Sequence, residues 1–396
     1  DRSSAASDVY KRQEWLPAAG NLVVRCDSST VLNPGDRAVV RGKIYPFTAR
    51  HGGYGRLMTR RGYVGTLYLN RSSLLLRDTL HRELPPKHLS LFLHERAVAR
   101  LDRLSLAPDE QALCNAMTAG DRRSLSPALR AAYSRSGTSH LLAVSGLHVG
   151  IVFLLANLLL WWLPLFRHGH ILRNIAVILL IWLYAATTGF PPSVVRAALM
   201  FSVLQFALAS SSEYVGMNTL AGVAFVMLLF HPDYLFDISF QLSFIAVAGI
   251  IAWGLPLCRL LRTRRKSIDM LTATLAIGFS ASAATAPLIS HTFGQISVVG
   301  LALNPVVILL SYVVVGSCTL WLVIPGTVLA PLFSDVAGFA ARAQNELIRA
   351  AAALPAAALD IRLTTTQCWI VYGLFIFATL LLWSAERKKS VSSLPE

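Results

Sequence analysis

The sequence predicts a polytopic α-helical membrane protein of about nine transmembrane segments, preceded by a small β domain of the OB type outside the membrane. Three observations predict it. Of the 396 residues, 54% are hydrophobic and only 14% are charged, and the mean hydropathy is +0.54, a balance that soluble domains rarely reach. From residue 144 onward, apolar runs near the ~20 residues needed to cross a bilayer follow one another closely. Before residue 140 charges are frequent, and short β-branched stretches alternate with turn clusters.

Taken in order, residues 1–20 show neither periodicity nor a leader pattern. They read as a start of foreign or disordered character, so the chain is expected to begin in mid-protein. Residues 21–85 read as a partial OB-like domain, with strand-like runs at 21–25, 38–44 and 63–69. The turn clusters between them are Asn33-Pro34-Gly35-Asp36 and His51-Gly52-Gly53-Tyr54-Gly55. Arg50, Arg56, Arg60 and Arg61 lie among Tyr54 and Tyr63. That mixture suits phosphate contact with base stacking, and it equally suits a solvated basic loop. Residues 86–138 read as amphipathic helices lying on the membrane or on the β domain, with Arg96, Arg100 and Arg103 on the polar side.

The membrane domain is expected over 139–385. Its apolar segments fall at 144–163, 171–188, 194–211, 215–230, 239–257, 268–289, 302–324 and 368–384, with a weaker one at 326–350 that carries Asp335, Arg342, Glu346 and Arg349. Five basic residues between Arg259 and Lys266, and the run Arg387-Lys388-Lys389, mark cytoplasmic ends. Residues 386–396 are then a cytoplasmic tail. Five segments separate residue 140 from Arg259, so everything before residue 140 lies outside. An even number of crossings must follow residue 266, which favours counting 326–350 as a span or a deep re-entrant piece.

The formal net charge is +15, and residues 1–140 hold 22 Lys and Arg against 12 Asp and Glu. Such an excess implies a polyanionic partner, unless it only reflects the basic loops of membrane proteins. The five cysteines show no metal-ligand spacing; Cys26 and Cys114 are compatible with a bridge in an oxidising compartment without establishing one.

Under this topology five polar breaks share the outer ends of the helices. They are His140 to His148, Gly189 to Arg196, His231 to Phe244, Ser290 to Gln295, and Asn304-Pro305. Polar, proline-broken backbone at membrane depth is tolerated where it lines a cavity. His140, Ser145, His148, Arg196, Asp237, Gln241 and Asn304 are therefore candidates for the mouth of a path. Each has a plainer reading: Arg196 snorkelling to the interface, Asp237 capping a helix, Gln241 and Asn304 as interhelical hydrogen-bond glue. No carboxylate accompanies the two histidines, so no metal and no cofactor is expected. Ala143-Val144-Ser145-Gly146 resembles the Gly-x-Ser-Gly of rhomboid-type intramembrane proteases with its first glycine replaced. An intramembrane serine protease and a small-solute transporter are therefore the alternatives to a non-enzymatic channel.

The string His140-Leu-Leu-Ala-Val-Ser-Gly-Leu-His148 resembles the signature of the ComEC competence family. The resemblance continues in order through Gly120-Asp121-Arg122, Pro192-Ser-Val-Val-Arg196, Asp237-Ile-Ser-Phe-Gln-Leu-Ser-Phe244 and Asn304-Pro305, covering roughly residues 21–385. It implies an inner-membrane channel that passes single-stranded transforming DNA into the cytoplasm, with an outer OB-like domain and other uptake proteins as partners. It also implies that membrane helices before the OB-like domain are missing here. No His-x-His-x-Asp pattern of the metallo-β-lactamase-like domain that ends some members is present, so no nuclease activity is carried over.

Overall fold

The computed structural model describes residues 3–8, 15–27, 36–47, 55, 58–59, 62–78, 86–209, 216–297, 299–324, 329–354 and 358–392. Two compact units divide the chain, Asp1–Leu91 and Phe92–Glu396.

The first unit is built of strands β1 (Ser3–Asp8), β2 (Trp15–Cys26), β3 (Arg37–Val40), β4 (Ile44–Pro46), β5 (Tyr63–Leu69) and β6 (Leu74–Asp78). One sheet has the order β1-β2-β5-β4, and β3 pairs with β6 in a second. Within the first sheet β2 runs parallel to β5, while β1–β2 and β4–β5 are antiparallel. The run expected as one strand over 38–44 is broken between β3 and β4. Gly42 lies in that break, where a Cβ would stand 2.6 Å from Leu67 Cδ1 and push that side chain aside. Arg50, Arg56, Arg60 and Arg61 lie outside the described residues.

The second unit is helical. Its elements are α1 (Pro86–Leu101, from Phe92 onward), α2 (Pro108–Thr118), α3 (Pro127–Arg135), α4 (Gly146–Leu159), α5 (Gly169–Thr187), α6 (Pro192–Ala209) and α7 (Gly216–Phe230). Next come α8 (Ile238–Gly249), continued through a π-helical turn, Ile250–Gly254, into Leu255–Leu260, then α9 (Lys266–Phe293), α10 (Val299–Val323), α11 (Ala330–Ala352) and α12 (Thr365–Ser392). Among the described residues, five stretches are long and apolar enough to cross a membrane: Gly146–Leu165, Gly169–Thr187, Ile238–Leu260, Ile268–Phe293 and Ala302–Val323. Pro192–Ala207, Gly216–Phe230 and Thr365–Leu380 are shorter apolar helices. This is the make-up of a polytopic helical membrane protein.

Local chemistry sets the helix ends. Ser126 Oγ accepts the Leu129 N–H at 3.2 Å to start α3, and the Asp237 carboxylate accepts from Ser239 and Phe240 N–H at 2.8 and 3.3 Å to start α8. Gly294, at φ +72°, ends α9.

Helices α10 and α11 form a hairpin whose base is tied by the short strands β7 (Ile296–Ser297) and β8 (Ala358–Leu359). Helices α2 and α3 pack into this hairpin: Leu113, Met117, Leu129 and Tyr133 share a fully buried core with Val307, Val314 and Ile348. Polar ties join the same elements. Arg342 Nε donates to Glu110 Oε1 at 2.7 Å, Ser334 Oγ to the Leu104 carbonyl at 2.9 Å, and Tyr133 Oη to Asn345 Oδ1 at 3.1 Å; Arg349 pairs with Asp109. The weaker segment expected over 326–350 is thus an amphipathic helix whose polar face is bound to the helices before the membrane domain. Cys114 is buried in this core. Its hydrogen bond to Cys318, with burial, pushes its thiol well above the usual range. Cys26 is an exposed, separate thiol.

Candidate functional site

The stretch before α4 is a short turn, Ser139–Leu142, followed by extended backbone at Ala143 and Ser145. One turn into α4 the His148 ring folds back, and the Ser145 N–H donates to its Nδ1 at 2.9 Å. This is the job a glutamate performs in a capping box. Because Nδ1 accepts, the neutral ring carries its proton on Nε2, a buried atom without a partner among the described residues. The Ser145 hydroxyl lies 3.2 Å from the same Nδ1. A nucleophilic serine needs a base with a free lone pair and a group that orients it; here the lone pair already serves the backbone. Ser145→Ala keeps the backbone donor and is expected to leave stability within about 0.5 kcal/mol. Thermal unfolding in detergent checks this.

Arg196, from the first turn of α6, reaches the start of α4. A Cβ on Gly146 would lie 3.3 Å from its Nη2. The side chain is buried, with 6% of the residue exposed. Its Nη1 donates to the Ser243 carbonyl of α8 at 3.3 Å, and its guanidinium carbon lies 5.6 Å from the centre of the Phe244 ring. Its Nε has no partner among the described residues. Among the described residues no carboxylate pairs with it. Ser193, three residues earlier, donates to the Val144 carbonyl at 2.9 Å and so pins α6 to the doorway. From Phe244 an aromatic series leads away through Phe240 at 4.3 Å, Tyr234 at 6.2 Å and His231 at 5.0 Å, each distance taken from the ring before.

The remaining predicted residues are placed differently. Asp237 caps α8, and Gln241 Nε2 closes the same turn on the Leu235 carbonyl at 2.8 Å. Asn304 is half-buried on α10 with an unpartnered Oδ1; its neighbour Leu303 packs in the core that includes Ile151 of α4. His140 is exposed at the doorway. The structure therefore joins Ser145, His148 and Arg196 across α4, α6 and α8, while Asp237 and Gln241 shape the α8 turn. Ser193, Ser243 and Phe244 belong to this junction and were not singled out from the sequence. The spacing of Phe240 and Phe244, one turn apart inside a polar cluster, is the signal that points to them.

One glycine sits at the rim. Gly120, at φ +83°, brings its Cα against Val144, and the next residue, Asp121, receives a bidentate pair from Arg123 at 2.8–3.1 Å. Burial pushes the Asp121 carboxyl up, but the hydrogen bonds and charge of Arg123 outweigh it and hold the group below its ordinary 3.8. An acid whose folded value is depressed stabilises the fold above its unfolded value, and that contribution disappears as pH falls through the folded value. Asp121→Asn is expected to lower stability by about 1 kcal/mol at neutral pH. Thermal unfolding in detergent over a pH series should show the gap to the parent protein closing below pH 3.8.

Residues 117–388, which contain this whole junction, match the family model described as Competence protein. The chain belongs to the Competence protein family. It is 31% identical over 223 residues to ComE operon protein 3 of Bacillus subtilis (strain 168), an alignment covering 55% of this chain and 27% of that protein. An uncharacterized protein of Aquifex aeolicus (strain VF5) is 29% identical over 201 residues, covering 50% of this chain and 45% of the other. The matched part of the chain thus spans less than half the length of either relative. No solved structure matches it.

Proposed function

We propose that this chain forms part of an inner-membrane path that receives single-stranded transforming DNA at its outer face and passes it to the cytoplasm. The observation that supports this most is Arg196, a buried guanidinium with no carboxylate among the described residues, at the meeting point of three apolar helices. Burying an uncompensated charge is costly, and an arriving phosphate offsets that cost. The aromatic series from Phe244 to His231 supports the same reading, because every base has a face to stack. A cavity of about 660 Å³ between α8, α9 and α12, running from Gln241 and His291 to Trp253 and Leu380, is lined without Lys or Arg. It is a poor route for a polyanion, so we place the strand on the Arg196 side.

In this reading the β unit lies outside, and Arg50, Arg56, Arg60 and Arg61 help to receive the strand. His140, Ser145, His148, Arg196, Asp237, Gln241 and Asn304 shape the mouth. The loop before α9 and the end of α12 are cytoplasmic. The α10–α11 hairpin starts and ends on one side, and its tip stays beside α1 through the Trp321–Arg100 hydrogen bond, so the hairpin adds an even number of crossings. The chain catalyses no reaction itself, and other uptake proteins deliver the strand.

A photo-crosslinking residue at the exposed His231 is expected to capture a labelled incoming strand, and one at Trp369, in the apolar cavity, to capture little. Equal capture at Trp369 would overturn the placement of the path.

A further inference from the structure

Away from the rim, α1 carries Arg96 and Arg100 one turn apart, about 6 Å along the helix axis, and Arg103 follows in the 3-10 turn Asp102–Leu104. They line a cavity of about 330 Å³ together with Trp321, Ile324 and Ala330 at the tip of the α10–α11 hairpin. The Trp321 indole N–H donates to the Arg100 carbonyl at 3.3 Å, which fixes the ring beside the arginines. The Arg96 guanidinium lies 6.0 Å from the centre of the Phe92 ring. Among the described residues none of the three arginines forms an ion pair, so the cavity presents three uncompensated cations. On the same elements Phe92, Val323, Leu329 and Leu332 are more than half exposed, at 53, 58, 51 and 54%.

We propose that this cavity binds the headgroup of an anionic phospholipid, seating the hairpin tip and α1 at the membrane interface. Arginine forks match phosphate oxygens bidentately. A helix with arginines on one face and exposed apolar side chains beside them partitions to the interface and favours anionic lipids. Tryptophan settles at the same level. The apolar fringe selects lipid over a nucleic-acid strand, since a solvated strand would leave those side chains in water. The volume sits at the small end of ligand cavities, which run from about 300 to 1,000 Å³. It suits one headgroup and not a continuous polymer. This inference is independent of the DNA path proposed above.

The test uses the whole protein in mild detergent, supplied with equal phosphatidylglycerol and phosphatidylcholine, with retained lipid counted by native mass spectrometry. The parent protein is expected to retain phosphatidylglycerol, and R96Q/R100Q/R103Q to retain at least tenfold less with phosphatidylcholine unchanged. The triple Lys variant, which keeps the charges, should stay within about threefold of the parent. If the triple Gln variant folds poorly, R96Q and R103Q, both at exposed positions, should each lose severalfold on their own. Unchanged phosphatidylglycerol in the Gln variants, or equal retention of the two lipids by the parent, overturns the proposal. So does displacement of the lipid by a single-stranded oligothymidine whose binding the triple variant loses, which would make the cavity a strand contact.

Discussion

Arg196→Gln is expected to cut DNA entry by about tenfold to a hundredfold while leaving surface binding intact and the folded protein no less stable. A hydrogen bond to a charged group contributes about 1.5–3 kcal/mol, and about 1.4 kcal/mol is a factor of ten, which sets that range. The stability half of the expectation comes from the same burial. Among the described residues Arg196 has one hydrogen bond, to the Ser243 carbonyl, an unpartnered Nε and an aromatic face, but no anion. Removing an uncompensated buried charge relieves a cost, so the melting temperature of Arg196→Gln in detergent should stay level or rise. A residue kept for architecture alone would behave in the opposite way, losing stability and entry together. Arg196→Lys separates charge from geometry, because an ammonium cannot reproduce the planar fork; intermediate entry is expected. Transformation frequency, surface-bound label and thermal unfolding measured on the same variants decide between the two accounts.

The second large effect is expected at Gly137, where the doorway loop rests on the start of α10. Its φ is +74°, and a Cβ there would stand 2.4 Å from the Ser297 Cβ. Left-handed backbone costs a side chain about 1–2 kcal/mol, and overpacking adds about 1–3. Gly137→Ala should therefore lose roughly 2–5 kcal/mol of stability and most of its abundance in the membrane. Ser297→Gly added to Gly137→Ala removes the clash but not the backbone strain, so partial rescue is expected. A Gly137→Ala protein as stable as the parent would mean that the loop does not rest on α10.

How much of this was legible in the sequence differs by element. The membrane helices announce themselves because hydrocarbon demands long apolar runs and turns at their ends, and α4, α5, α8 and α9 lie close to the segments read from hydropathy. The strand break at Gly42 was not visible, because it answers to Leu67 on another strand. The amphipathic character of α11 was visible as charges inside an apolar segment, but its partners Asp109, Glu110 and Tyr133 are more than 200 residues away in the chain.

The site shows the same division. His140 to His148 could be seen as a polar doorway, whereas the turn of the His148 ring onto the Ser145 N–H is a matter of rotamer. Local capping engages Asp237 at the start of α8, and Arg196 is left facing Ser243 and Phe244. A single chain read in one dimension gives no sign of which carboxylate a distant guanidinium will meet.

The most direct test of the central claim is a labelled-DNA uptake assay in cells lacking this protein, with and without restoration of the full protein. The predicted result is label that binds the cell surface yet remains open to added nuclease, and becomes protected once the protein is restored. Protected label accumulating at the normal rate without the protein would contradict the account.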